Sequence, residues 1–96
     1  MPNIKNYSEQ TFEAIKHVNE YGQEFWYARE LQHVLEYSEW RNFENVIQKA
    51  KTACKNAGNI EKDYFVDVNK TVPTGIGQPK PVNDYILSRY ACYLIV

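Results

Sequence analysis

From residue 38 to residue 57 the apolar side chains recur at helical spacing. Trp40, Phe43, Val46, Ile47, Ala50, Cys54 and Ala57 fall at steps of three and four. This pattern predicts one continuous helix with its apolar side turned inward, capped by Ser38 and stopped by Gly58. A shorter run of the same kind, Ala28, Leu31, Val34 and Leu35, predicts a helix ending near Glu36-Tyr37. Farther upstream, Ser8 is placed to cap a first helix reaching about Asn19. Phe12, Ile15 and Val18 share its apolar side, Glu9 and Glu13 sit near the positive end of its dipole, and Tyr21-Gly22 ends it. Glu24-Phe-Trp-Tyr27 is a short aromatic run that predicts a strand.

After Gly58 the rhythm changes. Tyr64-Phe-Val-Asp-Val68 and Val82-Asn-Asp-Tyr-Ile-Leu87 predict two strands. Between them, Val72-Pro-Thr-Gly-Ile-Gly-Gln-Pro-Lys-Pro81 holds three prolines and two glycines, the composition of a loop joining the arms of a hairpin. Ser88 can cap a last helix through Val96, although so apolar a run would also suit a buried strand. These elements give a small, single α+β domain. It has three to four helices, two forming a helix-turn-helix-like pair, with a short antiparallel β-hairpin or sheet. The chain stops inside the apolar run Tyr90–Val96 without a stop signal, so residues 1–96 are expected to be the N-terminal part of a longer protein.

Composition supports a packed fold: 44% of residues are hydrophobic and 15% aromatic, too many for a disordered chain. The net charge of −1 supplies no global field for a polyanion or a membrane, but the charge is unevenly placed. Residues 1–39 sum to −4, residues 40–60 to +3 and residues 61–96 to 0. Any footprint for a polyanion therefore lies in the middle segment. Two cysteines without a C-x-x-C, and an amino terminus without an apolar leader, fit a reduced, cytoplasmic setting.

Catalytic and metal chemistry find little support. His17 and His33 are isolated from other ligand types, and Cys54 and Cys92 lie in apolar patterns that suit inert core thiols. Glu30 and Glu36 bracket His33 in a way that a solvated helix face explains. Gly75-x-Gly77 lacks the spacing of a phosphate loop. The sequence calls for no metal and no cofactor.

The informative feature is the outer side of the helix expected at 38–57. Arg41, Asn45, Gln48, Thr52 and Lys55 form one stripe at spacings of four, three, four and three, with Lys49 and Lys51 beside it and Glu44 interrupting it. Arg and Lys neutralise phosphate, Asn and Gln pair with base edges, and Thr contacts phosphate or a thymine methyl. Any amphipathic helix needs a polar face, so the stripe alone admits both a binding surface and a merely soluble one. A second candidate surface is the Pro/Gly loop with Lys70 and Lys80, which a plain surface loop would equally explain.

Three stretches resemble a known family. Phe25-Trp-Tyr-Ala-Arg-Glu-Leu31 followed by Leu35-Glu-Tyr-Ser-Glu-Trp-Arg-Asn-Phe43 resembles the start of a BRO-N domain, the amino-terminal module of phage and baculovirus BRO and antirepressor proteins. Ala28-Arg-Glu-Leu31 with Tyr37-Ser-Glu-Trp-Arg-Asn-Phe43, then Ala50-Lys-Thr-Ala-Cys-Lys-Asn-Ala-Gly58 and Leu87-Ser-Arg-Tyr-Ala-Cys-Tyr-Leu-Ile-Val96, narrow the likeness to the bacterial DNA-damage-inducible (DinD-like) members. The resemblance implies a compact α+β module without enzyme activity that associates with DNA, single- or double-stranded. It further implies a link to the DNA-damage response, with the recombinase RecA as a candidate partner. It brings no defined contact residue. Lys49, Lys51 and Lys55 fall in or beside the second stretch and Arg89 in the third, which adds Arg89 to the basic positions expected to matter. The rival reading is a protein-interaction or dimerisation module that engages a recombinase, a repressor or a second copy of the chain through Tyr90–Val96 and the acidic first segment.

Overall fold

A computed structural model of the chain describes residues 11–72, 75 and 77–96. After a helical turn over residues 11–14 come β1 (His17–Val18), β2 (Glu24–Tyr27), α1 (Ala28–Val34) and α2 (Trp40–Asn56). A 3-10 turn (Glu61–Asp63), β3 (Phe65–Val72), β4 (Lys80–Leu87) and α3 (Arg89–Ile95) complete the order. The four strands form one antiparallel sheet in the order β1-β2-β4-β3. The architecture is α+β in a small single domain. Among the described residues no helix is long and apolar enough to cross a membrane.

Register decides which side of the sheet is buried. Leu87 of β4 pairs with Trp26 on one side and Phe65 on the other, so these three side chains line one face. Tyr85, two residues back, joins them. Trp26, Leu87, Phe65 and Tyr85 are all buried, against Phe43, Ile47, Ala50 and Cys54 of α2 and Ala91, Cys92 and Ile95 of α3. The apolar stripe predicted for α2 is therefore the side that meets the core, except that Ala57, at the helix end, is exposed. Trp40 and Val46 pack at its margin. At the edge of this core Phe12 stacks on Trp26 with ring centroids 4.3 Å apart, and the Phe12 carbonyl accepts the indole N–H at 2.8 Å.

The C-terminal ends of α1 and α2 are closed by the same hydrogen-bond pattern. At the end of α2, Gly58 N–H donates to Lys55 O and Asn59 N–H to Cys54 O, with Gly58 at φ 87. At the end of α1, Glu36 N–H donates to His33 O and Tyr37 N–H to Gln32 O, with Glu36 at φ 64. A glutamate there carries strain that glycine would not. The buried Gln32 side chain reinforces the turn by donating to Tyr37 O at 2.9 Å.

α1 is capped from the far side of the sequence. Asp84 of β4 is 1% exposed, and its Oδ1 accepts from Arg29 N–H at 3.0 Å, in the first turn of α1. Lys70 of β3 brings its Nζ to 3.0 Å from Asp84 Oδ2 while lying 3.6 Å over the Tyr27 ring. The carboxylate thus joins three elements at once.

Three expectations need correction. The first helix does not run to Asn19: His17 and Val18 are strand, paired with Phe25 and Glu24, and Val18 is 58% exposed. Asn19 starts a tight turn there, its Oδ1 accepting from Tyr21 and Gln23 N–H, with Gly22 at φ 79. The Ser8 cap lies outside the described residues. α2 begins at Trp40 with Glu39 as an N-cap that makes no side-chain cap bond, so Ser38 does not cap it. The hairpin strands are longer than the pattern suggests. Thr71 pairs with Pro81 and Val72 with Lys80, which shortens the loop, of which 73, 74 and 76 lie outside the described residues. For the last segment the helix reading holds: Ser88 Oγ accepts from Ala91 N–H at 3.0 Å.

Candidate nucleic-acid interface

With its apolar side against the sheet, α2 turns its opposite flank to solvent. Nine of its residues are exposed, and this surface is wider than the five-residue stripe: Arg41, Asn45, Gln48, Thr52 and Lys55 belong to it, together with Lys49, Asn42, Ala53 and Asn56. Asn42 and Asn56 escape a reading at strict steps of four and three. The exposure of adjacent residues such as Arg41 and Asn42 requires a broad polar arc, which the narrow buried side chosen by Phe43, Ile47, Ala50 and Cys54 leaves free.

The surface holds three cations, Arg41, Lys49 and Lys55, and no anion. Glu44, the one acidic residue of α2, is drawn toward the sheet. The Tyr85 hydroxyl donates to Glu44 Oε2 at 3.3 Å and accepts from Gln48 Nε2 at 3.3 Å. Burial, with the nearby Glu44 and Asp67 carboxylates, pushes the Tyr85 phenol up to about 12, so the hydroxyl keeps its proton and its donor role. Lys51 sits on the same flank as Glu44. Its side chain is 16% exposed, its Nζ lies 4.6 Å above the Tyr85 ring and 4.0 Å from Asp67. On the other side of this border Arg29 lies 4.0 Å over Trp40, which stacks toward Tyr85. Two cations therefore cover an aromatic pair beside the outer face.

The remaining polar groups of the stripe are held loosely. Thr52 donates back to the Gln48 carbonyl at 3.1 Å, a local bond that leaves the hydroxyl's acceptor capacity free. Lys55 is 63% exposed and 3.9 Å from Glu61, a long surface ion pair worth little.

Arg89 occupies a different environment. At the first turn of α3 it makes a bidentate contact with Glu24, Nε to Oε2 at 2.6 Å and Nη2 to Oε1 at 3.0 Å, and reaches Glu13 at 2.8 Å. These bonds hold both carboxyls below their ordinary range and raise the guanidinium. Its guanidinium also lies 5.1 Å from the Trp26 ring. Arg89 thus ties α3 to β2 and the turn at 11–14. Of the hairpin lysines, Lys70 is spent on Asp84 and Tyr27, and Lys80 is exposed.

The groups suited to other chemistry have structural roles. His17 shares a hydrogen bond of 2.7 Å with Glu30 and packs on Phe25 and Tyr27. Cys54 and Cys92 are buried free thiols. Burial raises both, Cys92 to about 12, which keeps them protonated and poor nucleophiles. Among the described residues no group of three His, Cys, Asp or Glu side chains could hold a metal ion.

No solved structure has significant similarity to the chain. It is 44% identical over 91 residues to DNA damage-inducible protein D of Escherichia coli (strain K12), an alignment covering 95% of this chain and 33% of that protein. The chain therefore spans about a third of the length of the curated relative it matches. Residues 14–96 match the BRO family, N-terminal domain, and with that match extending from the turn before β1 to the end of α3, the chain belongs to the BRO family as its N-terminal domain.

Proposed function

We propose that this chain is the non-enzymatic, nucleic-acid-associated binding domain of a DNA-damage-inducible regulatory protein, working in the cytoplasm through the outer face of α2. One observation carries the reading: in a chain of net charge −1, the exposed face of its longest helix carries three cations and no anion. Arg41, Lys49 and Lys55 neutralise phosphates, Lys51 adds charge from the flank, and Asn45, Gln48 and Thr52 offer hydrogen bonds between them. The name of the relative, DNA damage-inducible protein D, supports the regulatory setting. For the whole protein we propose that this binding helps modulate recombinase (RecA) filaments on DNA.

Fluorescence anisotropy with a labelled oligonucleotide at several salt concentrations tests the interface. The expected plot of log affinity against log salt is linear and falling. Arg41→Ala with Lys49→Ala flattens it by about 2 in slope, close to 0.9 for each phosphate no longer neutralised. An unchanged slope removes α2 from the interface. A second reading, a protein-interaction module, has its own observation: Tyr93 and Val96 at the C-terminal end are 60% and 78% exposed. Association through that surface would resist salt, whereas phosphate binding does not.

A further inference from the structure

The exposed flank of α2 has a chemistry that selects among nucleic acids. Single strands are held by aromatic rings on which bases stack, and the outer face of α2 offers none. The rings at its border are already covered, Trp40 by Arg29 at 4.0 Å and Tyr85 by Lys51 at 4.6 Å. Among the described residues the two strongly exposed rings, Tyr21 and Tyr93, lie in the β1–β2 turn and on α3. What the flank presents instead is side-chain amides among widely spaced cations. Arg41 and Lys55 are separated by about 21 Å along the axis, at about 1.5 Å per residue. Between them stand Asn42 and Asn45, residue types that pair with base edges, and Gln48, whose Nε2 also donates to the Tyr85 hydroxyl at 3.3 Å.

We infer that the outer flank of α2 takes B-form duplex DNA through its major groove, an inference that rests on the nucleic-acid reading above. A helix of about 10–12 Å diameter fits a groove of about 12 Å, with the end cations on phosphates and the central amides toward base edges. The helix lies along the groove by its side and not by its tip, because Glu39 occupies the N-cap and would bring a carboxylate against phosphate. The deep, narrow major groove of an A-form RNA duplex excludes the same rod.

The test titrates this chain against one sequence in three forms: duplex DNA, its single strand, and the corresponding RNA duplex. The Arg41→Ala/Lys49→Ala variant, checked for native circular dichroism, is run in parallel. Duplex DNA is expected to bind at least about 10-fold more tightly than the other two, with the variant weakening it and reducing the salt slope. Netropsin, which fills the minor groove, should leave the complex intact. Equal or tighter binding of single strand or RNA duplex, or displacement by netropsin, overturns the groove assignment. In those cases weaker binding by the variant still upholds an interface on α2. A variant that binds like the parent, or a chain that binds none of the three, overturns both.

Discussion

Replacing Tyr85 by phenylalanine removes a hydroxyl that holds Gln48 and Glu44 of α2 to the sheet through two bonds of 3.3 Å. At that length the pair stabilises the fold by about 0.5–1 kcal/mol. Its larger effect is on charge placement. Without the hydroxyl, Glu44 is free to turn toward the outer face, so Tyr85→Phe should lower both the urea midpoint and the affinity for an oligonucleotide. A variant that loses stability but binds like the parent would show that Glu44 stays where it is without help. Glu36 is the opposite case, a residue whose replacement should help. Its φ of 64 is a conformation glycine adopts without cost, and its side chain is exposed. Glu36→Gly is expected to raise the stability measured in urea by about 0.5–1 kcal/mol. The sequence hid both facts. Tyr85 reads as one more strand aromatic until the fold places α2 over it, and nothing local marks Glu36 as left-handed.

At the scale of elements, legibility followed the range of the interactions. The body of α2, the core of the hairpin and the Ser88 cap are written in spacing and capping residues within a few positions of each other, though the hairpin strands run on into the segment that reads as loop. The turn before β1 escaped because Phe12, Ile15 and Val18 fit a helix. Yet Asn19 and Gly22 build a turn that delivers His17 and Val18 to β2 as a strand. Sheet order could not be read, since β2 meets β4 through Trp26 with Leu87 and Tyr27 with Ile86, far apart in the chain. Nor could the clamp in which Arg89 joins α3 to Glu24 and Glu13. That clamp has a pH signature with a definite sign. The folded-state values of Glu13 and Glu24 lie below the ordinary 4.5, so their contribution is fully present above that pH. It is lost as pH falls through the depressed values. Thermal melts between pH 7 and about pH 3 should show the parent losing stability faster below about 4.5 than Arg89→Met does. Parallel curves would mean that solvent screens the clamp away.

On the scale of the whole molecule, a nearly neutral chain has divided its charge by location. Seven acidic side chains precede residue 40, and two of them, Glu13 and Glu24, are neutralised by Arg89. Three cations of α2, Arg41, Lys49 and Lys55, by contrast, are exposed. The segment sums of −4, +3 and 0 carried this division in the sequence. What the sums could not show is that Lys51 and Lys70 are committed internally, to Tyr85 and Asp84, while Arg41 and Lys49 stand on the exposed face. The candidate surface was therefore visible as a helix face, and only the structure separated its outward charges from its structural ones.

Asp84, reaching back across 55 positions to Arg29, has a temporal consequence. A nascent chain can write out all of α1 and still lack the carboxylate that closes its first turn, because that group emerges only with β4. A seven-residue helix is too short to persist unaided in water. A peptide ending at residue 79 should therefore show no protection of the amides of α1 in hydrogen exchange, whereas the full chain protects them. Synthesis proceeds from one end, but this domain waits for the last of its described strands before its early helix becomes permanent.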